Sequence, residues 1–153
     1  MKRKLRLLLV VLSTILLLPA CQSSSEIGEA QVIQVIDGDT IVIEGGYHIR
    51  YIGIDTPEVG QSYYEEAKQY NQELVDGKTV RLERDEKGEG EDKYGRWLRY
   101  VYVGDLFVNV ELVRQGYAYV YPEGRFPEVE YYGSLAQAER EAREAGRGIW
   151  AVI

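Results

Sequence analysis

Short Val/Ile-rich segments separated by glycine turns, a single helical stretch, two further strands and then two further helices follow one another along the chain. That order predicts an α+β domain, because period-2 apolar runs bounded by Gly and Asp read as strands and spacings of three and four as helices. About five strands and three α-helices in this order suit a closed Greek-key β-barrel of the OB-fold type.

The first two strands fall over residues 32–36 and 40–44, on either side of a turn that begins Asp37-Gly38. Asp-Gly is a favoured turn, since glycine accepts positive φ and aspartate bonds its own backbone. Gly45-Gly46 then turns the chain into YHIRYIGID, a third strand. In SYYEEAKQYNQELVDG, Tyr63, Ala67, Tyr70 and Leu74 recur at helical spacing and Gly77 is the stop, which predicts the first helix. Residues 79–84 and 97–103 are the fourth and fifth strands, joined by the polar loop DEKGEGEDKYGR. Asn109 is placed to cap a short helix ended by Gly116. Ser134 with Gln137 has the capping-box pattern for a last helix, with Leu135, Ala138, Ala142 and Ala145 on one face and Glu139 and Arg143 paired on another.

This domain spans residues 30–153. The segment before it is different in kind. Residues 1–20 join a basic start, MKRKLR, to an apolar run too short to span a bilayer comfortably, which predicts a signal peptide. Cys21, the only cysteine, stands at its end in LLPAC, an arrangement that resembles the lipobox of bacterial lipoproteins. The alternative is a secreted protein with an incidental thiol. Residues 21–29 then comprise the lipidated cysteine and a flexible tether, leaving a monomeric domain anchored to the membrane on the extracytoplasmic side of the cell envelope. With one cysteine no intramolecular disulfide forms, so the core alone must hold the fold. Loss of the signal removes four of the 18 basic side chains and none of the 25 acidic ones, deepening a formal net charge already at −7. Such a chain lacks the broad basic surface of most nonspecific nucleic-acid binders, and any affinity for a polyanion is expected to be modest.

Four short motifs place polar groups at strand ends: Asp37 to Thr40 (DGDT), Arg50, Asp55 to Glu58 (DTPE) and Asp92 to Arg96 (DKYGR). Singly, each is ordinary turn or edge chemistry. Together, and in this order, with VNVELVRQGYA and the terminal GIW, they closely resemble the staphylococcal nuclease (thermonuclease) family over nearly the whole domain.

The resemblance implies a calcium-dependent endonuclease that hydrolyses phosphodiester bonds of DNA and RNA with little sequence preference and leaves 3′-phosphates. Asp39, Asp55 and the carbonyl of Thr56 would hold Ca²⁺, which tolerates irregular oxygen geometry. Glu58, on a loop restrained by Pro57, would be the general base. Arg50 and Arg96 would donate paired hydrogen bonds to phosphate oxygens as charge builds. Lys93 and Tyr94, with Tyr119 and Tyr121, can furnish a cation and aromatic faces for the substrate; for Tyr119 and Tyr121, packing on a strand face is the competing reading. His48 reads as a solvated strand residue.

Two matters stay open at this level. The loop over residues 83–92 carries six acidic side chains against Arg84 and Lys87, and reads as a solvated hairpin in preference to a repelling surface or an extra calcium site. Strict alternation from Arg50 to Asp55 also puts the two on opposite faces, so a bulge or twist near Gly53 is required. The alternative function is a noncatalytic OB-fold module that binds nucleic acid or protein. All six matching acidic, arginine and threonine positions are filled, which favours the enzyme.

Overall fold

The computed structural model describes residues 28–121 and 129–151. The signal segment, Cys21 and most of the tether lie outside the described residues. The strands are β1 (Glu29–Val35), β2 (Thr40–Ile43), β3 (Tyr47–Tyr51), β4 (Ile54–Asp55), β5 (Thr79–Glu83), β6 (Trp97–Val103), β7 (Leu106–Phe107) and β8 (Tyr119–Val120). The helices are α1 (Tyr64–Val75), α2 (Val108–Arg114) and α3 (Tyr132–Glu144), with a 3₁₀ turn at Gly148–Trp150.

Five of these strands form a closed mixed barrel, the OB fold. Neighbours run β3-β2-β1-β5-β6, and a parallel pairing of β3 with β6 closes the ring. β1 serves two partners: Glu29 to Gln31 pair with β5, and Val32 to Val35 pair with β2. The register slips between Val32 and Gln34, a bulge that leaves Ile33 exposed and bends the strand between its two partners. Glu29, assigned to the tether from sequence, is already the first residue of this strand.

The barrel fills with β-branched side chains, as alternation requires. Ile41, Ile43, Ile49, Val80 and Val101 have no measurable exposure, and α2 plugs one end with Val108, Leu112 and Val113. Each such side chain contributes roughly 1.5–3 kcal/mol on burial.

Four local expectations are corrected. Asn109 is no cap: it lies inside α2, fully buried, accepting from the Val101 N–H and donating to the Ile52 carbonyl, both at 3.0 Å. It thereby satisfies the Ile52 carbonyl left where the third strand breaks and an N–H of β6. The capping box at Ser134 does not form, because α3 starts two residues earlier and Gln137 donates to Glu141 instead. On α1, Ala67 is buried and Tyr70 and Leu74 pack against the core as expected, joined by buried Asn71 and Val75, whereas Tyr63 precedes the helix in a left-handed conformation (φ 67°). On α3 the expected apolar face is present in Leu135, Ala138 and Ala142, whereas Ala145 is exposed beyond the helix end.

Candidate active site

The turn between β1 and β2 gives its two aspartates different tasks. Asp37 folds back, its carboxylate accepting the Asp39 N–H at 3.0 Å, while its carbonyl is held by buried Asn71, itself bound to the Tyr51 hydroxyl. Asp39 points inward and is buried. One oxygen takes the Arg50 Nε at 3.0 Å and the Thr40 hydroxyl at 3.1 Å; the other takes the Thr56 N–H at 2.9 Å and its hydroxyl at 3.1 Å. Thr56 packs so closely on Gly38 that a Cβ there would lie 2.7 Å from it, which is why the DGDT turn and the DTPE loop can touch.

Arg50 reaches that carboxylate because β2 and β3 pair Thr40 with Arg50. Its Nη2 donates to Asp55 at 2.9 Å and its Nη1 to the Tyr51 carbonyl at 2.6 Å, leaving two of five N–H donors. The alternation conflict is resolved at the glycine the sequence marked. β3 ends at Tyr51, Gly53 adopts φ 78°, and β4 resumes at Ile54 with Asp55 turned back toward Arg50. A side chain at Gly53 would also meet Leu135 of α3 at 2.6 Å.

Burial lifts the Asp39 carboxyl to about 6; Arg50 opposes this and Asp37 adds to it. A buried anion with a second carboxylate nearby gains from a cation at its side. The donors on offer, Asp39, Asp55 and the Thr56 carbonyl, are all hard oxygens, with neither Cys nor His among them. They fit an ion such as Ca²⁺, with water and substrate completing its six to eight ligands. Among the described residues no group of three or more His, Cys, Asp or Glu side chains is arranged to hold a metal.

The parallel closure of the barrel brings the second arginine alongside. Arg50 pairs with Leu98, so Arg96, two residues earlier on the same face, opens onto the same cleft. That cleft, about 370 Å³, is lined by Arg50, Arg96, Asp92, Asp85, Tyr121 and Leu98 among others. Arg96 Nε is held by Asp92 Oδ2 at 2.7 Å. In the turn between them, Tyr94 is exposed, with Lys93 Nζ 4.9 Å and Arg96 Cζ 5.5 Å from its ring centre.

The remaining predicted residues are distributed unevenly. Tyr121 joins the cleft, its ring 5.9 Å from the Arg50 guanidinium. Tyr119 sits opposite Asp55 in the β4–β8 ladder but turns toward Trp150, edge-on at 5.3 Å. Glu58 is exposed on the loop after Asp55, in a turn closed by the bond of its N–H to Gln61 Oε1 at 2.8 Å, and does not line the cleft. His48 is exposed on β3.

The family model described as "Staphylococcal nuclease homologue" matches residues 48–152 of this chain. The chain belongs to the staphylococcal nuclease family. Proteins named Thermonuclease from Staphylococcus intermedius and Staphylococcus hyicus are 37% and 34% identical to it. The first alignment covers 86% of this chain and 83% of the relative, the second 78% and 74%. Endonuclease YncB of Bacillus subtilis (strain 168) is 37% identical over 86% of this chain and 66% of its own length.

Within this family framework, the residue that sequence reasoning missed is Asp85. The acidic loop is only partly solvated: Asp85 is buried and accepts from the Tyr100 hydroxyl at 2.5 Å and from the N–H groups of Lys87, Gly88 and Glu130. It ties the cleft's loop to the start of α3. A signal was available in Asp85-x-x-Gly88, an aspartate placed to accept from the backbone just ahead of it.

Proposed function

We propose that this nuclease of the staphylococcal family is a calcium-dependent, extracellular phosphodiesterase acting on DNA and RNA with little sequence preference and leaving 3′-phosphates. The observation that supports the reading best is the shared cleft: Arg50, ion-paired to both Asp39 and Asp55, opens onto the same space as Arg96.

In this reading Arg50 and Arg96 bind the scissile phosphate through their remaining N–H donors and stabilise the charge that gathers on its oxygens. Glu58 takes the proton of the attacking water, and Arg96 stabilises the departing 5′ oxygen. Asp39, Asp55 and the Thr56 carbonyl would hold Ca²⁺, whose charge, when bound, adds to that of the arginines at the phosphate. Lys93, Tyr94, Tyr119 and Tyr121 contact the substrate beyond the reacting phosphate. Cys21 carries lipid, which keeps the monomeric domain on the outer side of the membrane.

The deciding experiment is hydrolysis of single-stranded DNA and RNA by the purified mature domain, with calcium and with excess chelator, followed by analysis of the product ends. Loss of activity in chelator and 3′-phosphate ends are expected. Undiminished hydrolysis without free metal overturns the calcium assignment, and binding without hydrolysis leaves the noncatalytic module.

A further inference from the structure

A second concavity, about 430 Å³, lies between the β4–β8 ladder and α3. Tyr132, Ala136, Glu139 and Arg143 line it from the helix, at spacings of four, three and four that make one continuous stripe. Tyr119, Tyr121 and Asp55 line it from the strands. Packing of α3 accounts for the neighbouring stripe of Leu135, Ala138 and Ala142, which is buried. It does not account for three tyrosines around a floor as small as Ala136.

Arg143 is set up in an unusual way. Its guanidinium carbon lies 3.8 Å from the ring centre of Trp150, and its Nη2 donates to Glu139 Oε2 at 3.2 Å. Glu139 is fixed in turn by the N–H of Val120 at 3.1 Å. The guanidinium is thus held flat from two directions, while most of its N–H donors have no partner among the described residues. Tyr119 meets the same indole edge-on and remains 41% exposed.

We propose that this groove is a second nucleotide subsite, in which single-stranded nucleic acid leaving the catalytic cleft stacks a base on Tyr119 or Tyr132 and sets a phosphate on Arg143. The inference rests on the nuclease reading of the cleft. Three observations carry it. The groove is continuous with the cleft: Tyr121 lines both, and Asp55 on the groove is ion-paired to Arg50 in the cleft. Its two carboxylates are each matched by an arginine, Asp55 by Arg50 and Glu139 by Arg143, so neither presents an uncompensated negative charge to a polyanion. Aromatic faces beside a pre-positioned guanidinium are what sequence-tolerant single-strand binding uses.

The test compares wild type, Arg143→Ala and Ala136→Glu, the last placing a carboxylate on the groove floor without removing any packed group. Hydrolysis of oligothymidylates of two and eight nucleotides gives a length ratio of kcat/KM. Each substitution is expected to lower that ratio about tenfold, and Arg143→Ala to reduce the salt slope of octamer binding by about 0.7, the value for one single-strand phosphate. In a Trp97→Phe background, with catalysis stopped by chelator and again with calcium present, octamer binding should quench Trp150 fluorescence in the parent and not in Ala136→Glu. Hydrolysis with an unchanged length ratio and no quench overturns the subsite and leaves the nuclease reading standing. Quench without hydrolysis in calcium supports the subsite and overturns the nuclease reading.

Discussion

Asp92 grips Arg96 at both ends, one carboxylate oxygen accepting from Arg96 Nε at 2.7 Å and the other from the Arg96 backbone N–H at 3.0 Å. The aspartate and the arginine bracket a turn also closed by bonds from the Tyr94 and Gly95 N–H groups to Asp92 and from the Asp92 N–H to the Arg96 carbonyl, so the position of the guanidinium in the cleft is set by its own loop. Burial pushes the Asp92 carboxyl up, but the bonds from Arg96 and Tyr94 outweigh it and hold it below the usual range. Arg96→Ala should lower kcat by about 10² or more with a smaller change in KM. Asp92→Asn, which keeps the shape of the turn and loses the charge, should lower kcat by about tenfold, and steady-state kinetics on a short single-stranded DNA measures both.

Glu58 and Lys93 separate chemistry from binding. Glu58→Gln should reduce kcat by about 10² or more at nearly constant KM, as removal of a general base does. Lys93→Ala should chiefly raise KM and flatten its salt dependence, because a lysine on phosphate helps ground and transition state alike. Nearly full kcat in Glu58→Gln would make Glu58 a residue of the loop turn alone.

Removal of Asp39 tests the metal. Asp39→Ala should raise the calcium concentration needed for half-maximal activity well above the roughly millimolar level expected of weak extracellular sites. Calcium titration of activity reads the shift; an unchanged requirement removes Asp39 from the ligand set.

Asp85 predicts an acid-dependent loss of stability. Burial raises its carboxyl, yet the bonds from Tyr100, Glu130, Lys87 and Gly88 win and hold it below 3.8. A depressed folded-state value stabilises the protein above pH 3.8 and loses that contribution as pH falls through the folded value. Asp85→Ala should therefore cost about 2–3 kcal/mol at neutral pH. The gap to wild type should narrow below pH 3.8, as urea unfolding at several pH values would show.

The proposed lipidation at Cys21 predicts that wild type enters the detergent phase on phase partitioning while Cys21→Ser remains in the aqueous phase. Equal aqueous partitioning of the two would mean that there is no anchor.

The barrel strands were readable because β-branched alternation and Gly turns report directly on burial, and residues 97–103 coincide with β6. Gly53 could be named in advance because alternation failed between two residues, Arg50 and Asp55, whose chemistry called for one site. Two of the misreadings share a cause: Asn109 and Asp85 are side chains that bond backbone distant in sequence, and sequence does not reveal which distant backbone is left unpaired. Asn109 serves a break in β3–β4 more than fifty positions away, and Asp85 serves the approach to α3. The groove between β8 and α3 was likewise invisible, since it depends on how a helix stripe meets a two-residue strand.

Leu135 lies against Gly53, the residue whose turn swings Asp55 back to Arg50. Arg50 and Asp55 both precede Trp97 in the chain, yet the turn that brings them together is covered by α3, the last α-helix to be synthesised. A polypeptide still waiting for α3 holds the parts of the site without its assembly. Translation order therefore delays the packing of this turn until α3 has been made.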